Sequence, residues 1–138
     1  MREILFRGKR CDNGEWVQGY YIRADHHWHK HGIHKDWIAC GACANGGWFS
    51  LHDKYAVKDE TVGQYTGLKD KNGKKIFEGD TVWFSDEKER GVVYFDNSCA
   101  RFAVRFDTFD AAFDHLYSNE LEIIGNVFDN PELMEGGE

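Results

Sequence analysis

A chain of 138 residues buries roughly 70% of the surface its unfolded form exposes, which supports one sizeable core and leaves little room for several domains. One Pro, fifteen Gly and an aromatic share of 15% fit strands joined by tight turns around an aromatic core and exclude Pro-rich disorder. The formal charge is -7, and no Lys or Arg follows Arg105 while nine acidic residues do, so the C-terminal third repels phosphate backbones and reads as a solvated face.

The first residues, MREILFRGKR, are charged and lack the apolar stretch of a signal peptide. Glu3–Phe6 predicts a first strand, and Asp12-Asn13-Gly14 is a turn signal that leads into a second over Trp16–Ile22, rich in β-branched and aromatic residues. Residues 25–36, DHHWHKHGIHKD, break any period and predict a polar loop. Trp37–Ala39 and Trp48-Phe49 are brief strand candidates around the Asn45-Gly46-Gly47 turn, and Tyr55–Val57 and Thr61–Thr66 continue the β pattern.

The lysine-rich stretch TGLKDKNGKKIF then raises the choice between a phosphate loop and a hairpin. A phosphate loop needs Gly-x4-Gly-Lys-Ser/Thr opening a helix. Here five residues separate Gly67 from Gly73, no Ser or Thr follows the lysines, and strand-forming residues come next. Asp70-Lys71-Asn72-Gly73 instead fits a tight turn with Gly73 at positive φ, with Lys69, Lys71, Lys74 and Lys75 pointing into water. Strands follow at Thr81–Phe84, Gly91–Phe95 and Arg101–Phe106, the last alternating at period two. Phe106, Phe109, Phe113 and Leu116 recur at three- and four-residue steps, which predicts one or two helical turns within 107–116. Leu121–Phe128 is the final strand, ended by Asn130-Pro131.

These elements predict an all-β protein with one short helical segment: an SH3-like small barrel over residues 59–130, with additional N-terminal strands in residues 1–58 packed on it and a frayed acidic tail over 131–138. Apolar runs such as Val92–Phe95 are too short to span a bilayer. A cytoplasmic protein with no membrane partner follows, and in that compartment Cys11, Cys40, Cys43 and Cys99 are reduced thiols.

Three blocks, REILFRGKR with DNGEWVQGYY, ETVGQYTGLKDKNGKKIFEGDTV, and ELEIIGNVFDNPEL, resemble the YopX family of small proteins from phages and prophage-like elements. The resemblance covers nearly the whole chain, apart from about Arg23 to Asp53. It implies a β-rich, SH3-barrel-like fold and self-association, and it carries no catalytic residues.

The residues themselves offer one metal candidate. His26, His27, His29, His31 and His34 precede Cys40-Gly41-Ala42-Cys43, and Cys-x2-Cys is a common zinc half-site. The second half-site is missing, and adjacent His residues on an extended chain point to opposite faces. The segment therefore reads as a polar loop beside two small thiol residues, with no metal and no cofactor. No helix signal follows Cys43 to activate it for redox work, and no acidic pair stands at a catalytic spacing, so the chain reads as a non-enzyme. Trp83, Phe84, Tyr94, Phe95 and Phe102, interleaved with lysines, could stack single-stranded bases, although core packing accounts for them more simply. The expected activity is protein contact, through a homo-oligomer or another phage or host protein. A nucleic-acid-associated barrel and a zinc-stabilised module are the alternatives.

Overall fold

A computed structural model describes residues 2–23, 36–39, 56–113 and 118–134. The chain divides into two compact units, Met1–Gln64 and Tyr65–Glu138.

In the first unit, β1 (Phe6–Lys9) and β2 (Trp16–Arg23) form a hairpin in which Lys9 faces Trp16 and Arg7 faces Gln18. Its turn is set locally: Gly14 at φ 73 donates its N–H to the Arg10 carbonyl, and the Glu15 N–H is accepted by the Asn13 side chain. β3 (Asp36–Ala39) is buried along its whole length and pairs with β2, Tyr21 opposite Ile38. Ala56 and Val57 bridge Trp37 and Arg10 respectively. A Cβ on Gly8 would stand 3.1 Å from Val57 Cβ, so a larger residue there would need that side chain to give way. A 3-10 turn over Asp59–Thr61 leads into β4 (Gly63–Lys69), whose first residue faces Arg7.

The second unit takes up β4 at Tyr65. The predicted hairpin is there: β4 pairs with β5 (Lys75–Phe77), and Gly73 turns the chain at φ 80. β6 (Asp80–Phe84), β7 (Glu89–Asp96) and β8 (Arg101–Phe106) form an antiparallel meander, extended by β9 (Asp110–Ala112) and flanked on β6 by β10 (Leu121–Asn126). Ile76, Val82, Phe84, Val93, Val104, Phe106 and Leu121 make its core. Gly91 is required there, because a Cβ would stand 2.5 Å from Val104 Cγ1 and 2.8 Å from Phe106 Cδ1.

The all-β class stands, and three predicted details change. First, among the described residues the two five-stranded sheets, in hydrogen-bonded order β3-β2-β1-β4-β5 and β10-β6-β7-β8-β9, stay open and no barrel closes. Among the described residues the β4–β5 turn meets β10 through the Lys71 N–H to the Leu121 carbonyl and the Asp70 carboxylate to the Ile123 N–H, not through a continuous ladder. Second, the helical turns predicted within 107–116 are replaced over Asp110–Ala112 by β9. The three-residue step from Phe106 to Phe109 is the closing pair of a tight β-turn: the Phe106 N–H donates to the Phe109 carbonyl at 2.8 Å, and the rings stack with centroids 4.7 Å apart. Third, the first strand begins at Phe6, not Glu3, so Arg7 and Lys9 lie within it. Pro131–Met134 forms a 3-10 turn within the segment expected to fray. Among the described residues no helix is long and apolar enough to cross a membrane.

Candidate functional site

The second unit leaves apolar surface at one end of its sheet. On β7 and β8 the inward positions run Gly91 with Phe106, Val93 with Val104, and Phe95 with Phe102. The first two pairs lie in or against the core, whereas Phe95 and Phe102 continue beyond it as an edge-to-face pair, centroids 5.1 Å apart. Phe95 remains 36% exposed and Leu68 on β4 37%. Thr66, Leu68, Arg101, Phe102 and Phe113 line an open groove of about 280 Å³. It is mostly apolar, with one guanidinium on its rim. The turn beyond Phe95 is pinned by Asp96, whose carboxyl the Ser98 hydroxyl and N–H hold below the usual carboxylate range, and Ala100 completes it at φ 54.

A second cleft, about 450 Å³, is lined by Trp83, Glu87, Lys88, Glu89, Arg90, Asp107 and Thr108. Its own residues occupy much of its chemistry. Glu89 accepts both the N–H and the hydroxyl of Thr108, and Arg90 donates to the Leu133 carbonyl. Its mixed charges select no ligand class.

The candidate residues read from the sequence scatter. Phe84 is core, Trp83 lines the polar cleft, and Tyr94 lies under the Arg105 guanidinium at 4.5 Å while donating to Asp110. Burial, then Asp110, pushes the Tyr94 phenol up. Phe95 and Phe102 alone of the five come together as a pair. Of the hairpin lysines, Lys71 faces Glu122 at 3.3 Å and Lys75 lies over the Tyr65 ring at 5.5 Å. They form no single cationic track with the aromatics. Cys11 and Cys99 are exposed free thiols, and burial ahead of any charge effect pushes the Cys11 thiol up. His26, His27, His29, His31, His34, Cys40 and Cys43 lie outside the described residues. Among the described residues no three His, Cys, Asp or Glu side chains are placed to share a metal ion.

The most constrained polar group is structural. Asp70, 4% exposed, accepts the N–H groups of Asn72 and Lys74 on one oxygen and that of Ile123 on the other. Burial pushes its carboxyl up, but those three N–H groups and the Lys74 charge outweigh it and hold it below the usual range. The sequence reading takes Asp70 as a turn former; its bond across to β10 was not legible locally, because Ile123 lies 53 positions away.

Leu68 and Phe113 escape a sequence reading because each sits in an ordinary apolar pattern. The exposure of Leu68 and the place of the half-buried Phe113 in the groove lining have no local signal.

A solved structure, the crystal structure of protein EF1440 from Enterococcus faecalis, is similar over 98% of this chain and 100% of that one, with a TM-score of 0.56 and 21% identity. That likeness establishes the fold alone. No curated protein matches the sequence. The sequence profile described as YopX protein matches residues 5–135, which takes in both sheets and the groove. The chain belongs to the YopX family.

Proposed function

We propose that this protein is a non-enzymatic binding module of phage or prophage origin that works in the cytoplasm through protein contacts, with a second copy of itself as its first partner. The observation that carries the reading is the groove beside Phe95: apolar side chains of β4, β7 and β8 that run past the core and stay open to solvent. Exposed apolar surface of this kind marks contact sites, because covering it releases ordered water. Arg101 on the rim favours an acidic partner surface. A second copy offers one, since residues 65–138 carry sixteen Asp and Glu against eight Lys and Arg. Exposed thiols at Cys11 and Cys99 suit a reducing compartment.

Light scattering across a concentration series tests the reading. The wild type gives a mass above that of one chain, and the Leu68→Ser/Phe95→Ser double variant gives the mass of one chain with unchanged circular dichroism. A wild type that stays at the mass of one chain at every concentration overturns self-association.

A further inference from the structure

The groove of the second unit has two walls of unequal construction. Arg101, Phe102 and Phe113 stand on a continuous ladder: Asp96 faces Arg101 and Phe95 faces Phe102, and the Phe113 N–H donates to the Phe102 carbonyl. Thr66 and Leu68 do not. β4 keeps register with β5 at Tyr65–Phe77 and Lys69–Lys75, so Thr66, Gly67 and Leu68 stand against the single residue Ile76. On its other edge β4 pairs with β1 through Gly63 and Gln64. Among the described residues these three positions therefore form a bulge with no register partner on either side. Gly67 turns it at φ 90, and the Leu68 N–H is accepted by the Thr66 hydroxyl at 3.2 Å.

Two anchors hold the ends of this bulge. One is packing: the buried Tyr65 and Phe77 rings meet at 5.6 Å between centroids. The other, nearer to Leu68 in the chain, depends on one side chain. Asp70 accepts the Asn72 and Lys74 N–H groups on Oδ1 at 2.9 Å each and the Ile123 N–H on Oδ2 at 3.0 Å, and the Lys71 N–H beside it reaches the Leu121 carbonyl at 2.9 Å.

We infer that Asp70 is the positioning residue of the groove: by fastening the end of the bulge to β10 it fixes Leu68 in the wall that a partner meets. The inference rests on the reading of the groove as the contact site and names what keeps that site formed. A carboxylate suits the task, because hydrogen bonds to a charged acceptor are roughly twice as strong as neutral ones. Its donors come from both the turn and β10, so the turn cannot shift without breaking them. A wall fixed before the partner arrives spares the cost of ordering it on binding. Without the tie the bulge samples other positions, and if the groove-lining one is held about a tenth of the time, apparent affinity falls about tenfold.

Amide order parameters from nuclear magnetic resonance, with light scattering on the same full-length samples, test it. In the wild type Gly67 and Leu68 reach about 0.85, the value of a rigid backbone. Asp70→Asn lowers both to about 0.6 or less, leaves Val93 and Val104 rigid, and weakens self-association about tenfold. Asp70→Ser, whose hydroxyl caps the turn but supplies no second oxygen for β10, gives the same result and serves if Asp70→Asn does not fold. Val93→Ala destabilises the core without touching the turn, and leaves the order parameters and the association unchanged. If Asp70 matters only for stability, both Asp70 variants unfold more easily while Gly67 and Leu68 stay rigid, and that result overturns the inference. A loosened bulge with association equal to that of the wild type overturns it too. A wild type that stays at the mass of one chain overturns the reading of the groove instead, and the order parameters, which need no partner, still decide whether Asp70 fixes Leu68.

Discussion

The two units are built on different balances of force. Residues 65–138 bury seven apolar side chains from five strands in one cluster. Among the described residues of 1–64 the buried apolar side chains are Trp37, Ile38, Ala39, Ala56 and Val57, while the β1–β2 hairpin is largely half-exposed and tied by polar and cation–π contacts. The contrast carries over to function. A unit organised by packing has apolar surface left over where its sheet outruns its core, and a unit organised by polar contacts leaves an aromatic side chain, Tyr20, exposed. The groove beside Phe95 and the ring of Tyr20 are those two remainders.

The largest effect that sharpens this contrast is expected in the packed unit. Phe106→Ala removes a buried ring that stacks on Phe109 and meets Phe84 at 5.8 Å, and should cost about 3–5 kcal/mol in urea unfolding. A cost below ~1 kcal/mol would break the claim that packing organises this unit.

Asp70→Ala is next, at about 2–3 kcal/mol, since three N–H groups lose a buried, charged acceptor. Its pH dependence has a definite sign. The folded carboxyl titrates below its unfolded value of roughly 3.9, so its contribution is present above that value and fades as pH falls through the lower folded one. Asp70→Asn should therefore flatten the acid limb of the stability profile, and an unchanged limb would assign acid unfolding to other groups.

In the first unit the matching polar tie is the Tyr21 hydroxyl donating to Asp36 at 2.5 Å, with Arg23 3.8 Å from the same carboxylate. Tyr21→Phe should cost only about 0.5–1.5 kcal/mol. Burial first, then Asp36, pushes the Tyr21 phenol up to about 12. Because that value is raised, the tie is intact below the unfolded phenol value of about 10 and is lost as pH climbs through about 12. Absorbance at the phenolate band, wild type against Tyr21→Phe, reads this directly.

The smallest expected change has the opposite sign. Thr81 on β6 is fully buried, and its hydroxyl has no hydrogen-bond partner among the described residues. Thr81→Val should raise the unfolding free energy by up to ~1 kcal/mol. A loss would mean that the hydroxyl is satisfied.

Much of the β framework was legible because it is local. Asp12-Asn13-Gly14 and Asp70-Lys71-Asn72-Gly73 carry their turn chemistry in their own residues, and Arg101–Phe106 alternates as a half-buried strand must. What the sequence hid is non-local or degenerate in period. Phe106 and Phe109 satisfy a helical step and a tight-turn step equally, and pairing with Ala103–Arg105 decides the matter for β9. Barrel closure depended on strands β4, β5 and β10 finding a continuous register, which no short pattern encodes. Of the candidate site, Phe95 and Phe102 were singled out as aromatics, but their escape from the core depends on where the sheet ends.

Sedimentation of three proteins side by side, the wild type, Phe95→Ser and Tyr20→Ser, tests the central claim most directly. Protein contact residing in the groove of the second unit predicts association for the wild type and Tyr20→Ser, and the mass of one chain for Phe95→Ser with its urea midpoint retained. Association of Phe95→Ser as strong as that of the wild type, or its loss in Tyr20→Ser alone, would contradict it.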